Sequence, residues 1–312
     1  MVITELYHGQ GIGNQLFAYV TTRMLSHKLG YDFGICGLRN AGDSRVNKKG
    51  FYFMNLNYGK KVLGGESPPG GPPDSLPKGI ENYYVEYRHA KNHFLSDDTR
   101  SLQLTDNNLF NILDNTKIDG IFQSEEYFYN DIDLVKTWLK VKPEYEHIDT
   151  NKKNICILNF RGGDIIGNAG CWLPKSYWLN AIDNMIKYNP KMKFAIVTDD
   201  VAAANTMLPE YPAYHDEIAW DYVAIKNARN VICSTSTFAC FPLWTSETLE
   251  YCIAPKYWFD YNRSQGWWSL GCSIYSYPNH YMDREGNLFT PDECRVEWEE
   301  YKKTSKIYEG DL

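Results

Sequence analysis

Ile155-Cys156-Ile157-Leu158-Asn159-Phe160-Arg161-Gly162-Gly163-Asp164 is an apolar run, interrupted by the amide Asn159, that ends in a cation, two glycines and an acid. A short, apolar, β-branched stretch bounded by glycine reads as a buried strand. The pattern that follows it reads as a helix over 175–189, a strand over 194–198 and a helix over 201–208. A helix over 219–228, a strand over 230–233 and a helix over 237–246 come next. Strands alternating with helices imply a parallel sheet covered by helices, an α/β fold. Arg161 then emerges at the C-terminal end of a strand, where open α/β sheets keep their ligands.

Upstream, residues 2–7 read as a first strand followed by the turn Gly11-Ile12-Gly13-Asn14-Gln15. A helix from about Asn14 to Leu29 is expected, with Phe17, Val20, Met24 and Leu25 on one face and Gly30 as its stop. Residues 31–36 suit a second strand. The stretch 64–78 (GGESPPGGPPDSLPK) is too rich in Gly and Pro for a regular element, and is a surface loop or a lid. Gly120-Ile121-Phe122-Gln123 looks like a strand end, and Asp131 a helix cap. The polar stretch 141–153 reads as a linker, so two domains are expected, 1–150 and 151–312, each of about 150 residues. The tail from about Lys303 is polar and expected to fray.

Composition narrows the function classes. A net charge of −7 argues against an electrostatic nucleic-acid binder but not against an anionic ligand held by local Arg and N–H groups. Aromatic residues make up 15%, which suits either sugar faces or large cores. The eight cysteines form no CxxC pair and no zinc-like cluster, which points to a reduced setting. No run approaches the roughly 20 apolar residues of a membrane span, and a soluble, cytoplasmic protein is expected.

Three segments carry candidate chemistry. Gly11 and Gly13 open a turn whose N–H groups favour an anion at a helix start, with Asn14 as an added amide or a plain N-cap. Arg161 offers a planar fork that stays ionised and makes charge-assisted bonds to a diphosphate, and Gly162 and Gly163 let a ligand approach the backbone. Asp164 either orients that guanidinium, serves as a base, or forms an ordinary ion pair with it. Ser234, Ser236 and Thr237 concentrate hydroxyls before a helix, as a phosphate seat or a cap. Asp221 either complements its helix dipole or accepts two hydrogen bonds from a guanine edge. The Asp199-Asp200 pair is poor evidence for a metal, and none is expected.

These segments resemble the fucosyltransferase group that includes bacterial α-1,2-fucosyltransferases and, more distantly, protein O-fucosyltransferases. The resemblance rests on Gly11–Gln15 with Phe17 and Tyr19, and on Gln123-Ser124-Glu125-Glu126-Tyr127-Phe128. It also takes in Asn159–Asp164 against a His-x-Arg-x-x-Asp motif, Thr198-Asp199-Asp200, and Ser236-Thr237-Phe238. It covers about residues 5–245 in order, and departs where Asn159 replaces the motif histidine and Gly162 a second basic residue.

The resemblance implies a GT-B-like fold of two Rossmann-type domains with a cleft between them. It implies inverting, metal-independent transfer of a sugar, fucose first, from a GDP-sugar to a hydroxyl of a glycan acceptor, with no other cofactor. Arg161 would face the diphosphate, Asp221 the guanine, and Ser236 and Thr237 the phosphate oxygens. Gly11, Gly13, Asn14, Asn159, Ser234 and Phe238 complete the expected donor site. Glu125 and Asp164 are the candidates for the base. A transferase using another sugar nucleotide and a non-catalytic carbohydrate-binding protein are the alternatives.

Overall fold

The structure is a computed structural model, and describes all residues except 8, 42–50, 65–75, 87–104, 148, 265, 267, 269–272 and 305–312. The described residues fall into two compact units: Met1–Arg88 with Thr105–Glu146, and His147–Leu312. Both are α/β units built on parallel sheets, the class read from the alternating pattern.

In the first unit, strands β1 (Val2–Glu5), β2 (Phe33–Cys36), β3 (Asn82–Val85) and β4 (Thr116–Asp119) form one parallel sheet in the order β2-β1-β4-β3. Helix α1 (Ile12–Leu29) joins β1 to β2 and stops at Gly30, whose φ of +72° is the left-handed value that glycine takes without steric cost. Its start lies earlier than expected, with Gly11 at the N-cap and Asn14 inside the first turn, so Asn14 is not a cap. Helix α2 (Ile132–Trp138) follows Asp131, whose side chain makes no capping bond and pairs with Lys28 at 3.2 Å instead. The 141–153 stretch is not one linker: Val141 bridges to Met54 within the first unit, whereas the His147 ring lies 4.8 Å from Trp220 in the second. The Gly/Pro segment at 65–75 and the tail from 305 lie outside the described residues.

The first sheet buries an ion pair, Lys117 Nζ to Glu5 Oε2 at 2.6 Å, with side-chain exposures of 0% and 2%. Ile3 pairs with Lys117, so the lysine sits on the middle strand pair, where desolvation leaves its charge dependent on the carboxylate.

The second unit has strands β5 (Ile155–Phe160), β6 (Lys193–Thr198), β7 (Ala213–Tyr214), β8 (Asn230–Cys233), β9 (Tyr251–Pro255), β10 (His280–Met282) and β11 (Leu288–Phe289). Their order is β11-β10-β9-β8-β5-β6-β7, all parallel but the edge strand β11. Helices α3 (Lys175–Tyr188), α4 (Val201–Met207), α5 (Ile218–Lys226) and α6 (Cys240–Trp244) connect them, and α7 (Pro291–Thr304) follows β11. The expected 237–246 helix is a 3₁₀ turn, Thr237–Ala239, leading into the short α6.

Period-2 residues Cys156, Leu158 and Phe160 of β5 meet Tyr177, Trp178, Ala181, Ile182 and Met185 of α3 in one core. Burying each large side chain there stabilises the unit by about 1.5–3 kcal/mol. Trp258 and Trp268 are wholly buried and pack edge-on against Tyr275 and Tyr281, so these rings build core. The seven described cysteines are unbonded thiols.

Candidate functional site

From β5 the chain builds outward in one direction through β6 and β7, then returns to β8 and builds the other way through β9 and β10. The order therefore reverses between β5 and β8. Loops leaving the C-terminal ends of the strands diverge at such a point and open a crevice for a ligand. Register places Phe160 beside Thr198 and Asn159 beside Cys233, so Arg161, Asp199 and Ser234 leave the sheet side by side.

Arg161 is 19% exposed and engaged at both ends of its fork. Its Nη1 pairs with Asp199 Oδ2, and its Nη2 donates to Asp164 Oδ1 at 2.6 Å. Asp199 Oδ1 also accepts the Gly162 N–H at 2.7 Å. The neighbouring Asp200 caps α4 by accepting the Ala203 N–H at 2.9 Å. Asp199 and Asp200 thus have separate anchoring tasks, and among the described residues no acidic, cysteine or histidine cluster suits a metal. A Cβ on Gly162 would stand 2.6 Å from Asp200 Cβ, and one on Gly163, at φ +50°, 2.8 Å from Asp199 Oδ2. Here the glycines make room for these two aspartates.

Ser234 is 1% exposed and donates to Asn159 Oδ1 at 3.3 Å, while its N–H donates to the Asn159 carbonyl at 3.0 Å. Both residues tie the end of β8 to the end of β5. Ser236 caps the 3₁₀ turn, its Oγ accepting the Phe238 N–H at 3.3 Å. Thr237 and Phe238 are half-buried on the same turn, and the Phe238 ring packs edge-on against Tyr222 of α5 at 6.0 Å.

Asp221 precedes Tyr222 in α5. Asp221 Oδ2 meets His215 Nδ1 at 2.8 Å, and Oδ1 accepts a longer bond from the Asp216 N–H at 3.4 Å. Burial pushes its carboxyl up to about 6, with His215 opposing the rise. A buried carboxyl titrating near neutrality is a feature of functional sites as well as of structural pairs.

Gly11, Gly13, Asn14 and Glu125 lie in the first unit. Asn14 Oδ1 accepts from Gln123 Nε2 at 2.9 Å, which joins the start of α1 to the 123–128 segment. Glu125 is buried in the 3₁₀ turn Glu125–Tyr127. Sequence reasoning missed the support beneath it: buried Glu86 Oε2 accepts the N–H groups of Ile121 and Phe122, each at 2.9 Å. Phe122 has φ +51°, a strained value for a bulky residue that this double contact holds. Asp199 and His215 were also missed as site members. Adjacent parallel strands offered a signal for Asp199, because loops leaving β5 and β6 must meet.

No family model and no curated protein matches this chain. Among solved structures it is similar to POFUT1 in complex with GDP, with 10% identity, a TM-score of 0.45, and coverage of 81% of this chain and 97% of that one. It is also similar to the NodZ fucosyltransferase from Bradyrhizobium, with 13% identity, a TM-score of 0.43, and coverage of 81% and 94%. A third is NodZ α-1,6-fucosyltransferase soaked with GDP-fucose, with 13% identity, a TM-score of 0.37, and coverage of 78% and 92%. At these TM-scores the likeness assigns nothing to this chain, and function rests on its own residues.

Proposed function

We propose that the chain is a GT-B-like glycosyltransferase whose second unit binds a GDP-sugar, fucose first, and passes the sugar to a hydroxyl of a glycan. The observation that carries this reading is the crevice between β5 and β8. The strand order reverses there, Arg161 follows β5, the hydroxyl-bearing 236–238 turn follows β8, and the buried carboxylate of Asp221 stands in α5, after β7. In the proposed role Arg161 meets the diphosphate, Thr237 and the 236–238 turn a phosphate, and Asp221 the guanine N1 and N2. Within the first unit, the Gly11-Ile12-Gly13-Asn14 segment and the Glu125 segment, joined by the Asn14–Gln123 bond, are proposed to serve the acceptor. The proposal includes the domain boundary near 150, a base drawn from Asp164 or Glu125, and a cytoplasmic location.

Asp221 gives the sharpest discrimination. A carboxylate that accepts both guanine donors rejects a base lacking them by about 1–3 kcal/mol. Asp221→Ala is expected to weaken GDP by roughly ten- to a hundredfold while leaving UDP within a few-fold, read by calorimetry. Equal losses for both nucleotides would reduce Asp221 to a partner of His215. Only the ionised form accepts both bonds. With the carboxyl of the free protein near 6, GDP affinity is therefore expected to hold above that pH and fall on acidification through it.

Charge on the leaving diphosphate is proposed to be met by guanidinium and backbone N–H groups, without a divalent ion. The transfer rate is expected to survive a chelator unchanged. Full inactivation that added magnesium or manganese reverses would return Asp199 and Asp200 to the role of metal ligands.

A further inference from the structure

The turn after β9 is strained: Tyr257 and Trp258 adopt φ values of +65° and +49°, where bulky side chains rarely sit. Consecutive outliers of this kind persist when surrounding structure enforces them, and they concentrate at ligand clamps and active sites. This pair leads into a 3₁₀ turn, Trp258–Asp260, and then to Arg263. Asp260, 3% exposed, accepts Arg263 Nη2 at 2.8 Å, and its carbonyl accepts the Arg263 N–H at 2.9 Å.

The guanidinium so held lies against Gly170. A Cβ on that glycine would come within 2.7 Å of Arg263 Nη2 and 2.7 Å of the Phe259 carbonyl. The 168–172 segment is itself clamped beside the C-terminal end of β8. Thr235 Oγ1 donates to the Cys171 carbonyl at 2.8 Å, and Asn262 Nδ2 donates to the Ala169 and Trp172 carbonyls at 2.9 and 2.7 Å. Cys171 is close enough to feel Asp164 and Arg263 together, its thiol pushed up to about 11 chiefly by burial, with Asp260 and Asp164 adding and Arg263 opposing. Arg263 is thus linked, through Gly170 and the Cys171 carbonyl, to Thr235 in the loop after β8.

The two cations differ in availability. Arg161 faces two carboxylates and is 19% exposed; Arg263 faces Asp260 through one nitrogen and is 47% exposed. A diphosphate carries more than one negative charge, and Arg161 with Asp164 and Asp199 sums to a net negative cluster.

We propose that Arg263 is the second cation of the donor site and binds the outer phosphate of a nucleoside diphosphate, with Gly170 required for its seat. This rests on the donor-site reading above.

The test is calorimetry of GDP and GMP against the full chain and its Arg263→Ala, Arg263→Lys and Gly170→Ala variants, with Tm recorded for each. Arg263→Ala is expected to weaken GDP by about tenfold or more, the size of one charged hydrogen bond, and GMP by less than about threefold. Gly170→Ala is expected to reproduce that pattern by displacing the guanidinium, and Arg263→Lys to recover GDP binding only in part. Unchanged GDP affinity in Arg263→Ala, or equal loss of GDP and GMP, overturns the role of Arg263 while leaving the donor site standing. If the unmodified chain binds neither GDP nor GMP, the donor-site reading itself fails and this inference falls with it.

Discussion

Replacing Arg161 with alanine is expected to lower kcat at least about 100-fold on a confirmed donor and acceptor, the scale of losing one preorganised oxyanion donor. As the bond from sugar to diphosphate lengthens, negative charge grows on the departing phosphate. A guanidinium already fixed by Asp199 stabilises that charge without reorganising, so it acts more on the transition state than on the ground state. Asp164 is 69% exposed and is the contact expected to give way to a phosphate, with Asp199, 22% exposed, expected to stay as the anchor. Arg161→Lys should rescue little, because an ammonium cannot span Asp199 and a phosphate with a planar fork. Steady-state kinetics separates the effects: a fall in kcat supports the role, and a rise in KM alone would make Arg161 a binding contact only.

The second large effect lies in the first unit and concerns stability. Lys117→Ala takes the cation from the buried Glu5 carboxylate and is expected to cost about 3–5 kcal/mol, read by denaturant unfolding. Replacing both partners, Lys117→Met with Glu5→Leu, should recover most of that loss, since the pair's attraction mainly offsets its own desolvation. A Lys117→Ala variant as stable as the parent would show that the carboxyl can be buried neutral at little cost.

How far the fold was legible depended on local pattern strength. Strands β5, β6 and β8 are apolar runs with clear bounds, and α3 has an apolar face at helical spacing, so all were readable. Strand β7 is two residues long, Ala213–Tyr214 after Pro212, and a two-residue strand has no period to detect. Its place is set by pairing with Ile196 and Val197, a tertiary fact. The start of α1 was misplaced because Asn14 looked like a cap, whereas the turn before it ends in Gly11 with no side-chain cap at all.

At the site, motif residues were legible one by one, but their partners were not. Arg161 was read with Asp164, three residues on, and not with Asp199, because that contact crosses 38 residues and depends on β5 lying beside β6. Gly162 and Gly163 were read as space for a ligand, though the space is taken by Asp199 and Asp200. Ser234 was read as part of a phosphate seat or a cap, and its bond across to Asn159, between β8 and β5, was not legible. The hidden terms were contacts between strands, which one-dimensional periodicity does not encode.

The most direct test of the central claim is a thermal-unfolding series of the full chain with GDP, GDP-fucose, UDP, UDP-glucose and NAD at matched concentrations. A ligand that binds only the folded state at about 100 times its Kd adds roughly 2.7 kcal/mol, enough to raise Tm by several degrees in a protein of this size. GDP and GDP-fucose are expected to raise Tm selectively, and the rise for GDP should shrink to about half or less in Asp221→Ala. A Tm that no guanine nucleotide moves, or one that UDP-sugars or NAD move more, would contradict the assignment of the crevice between β5 and β8 to a GDP-sugar.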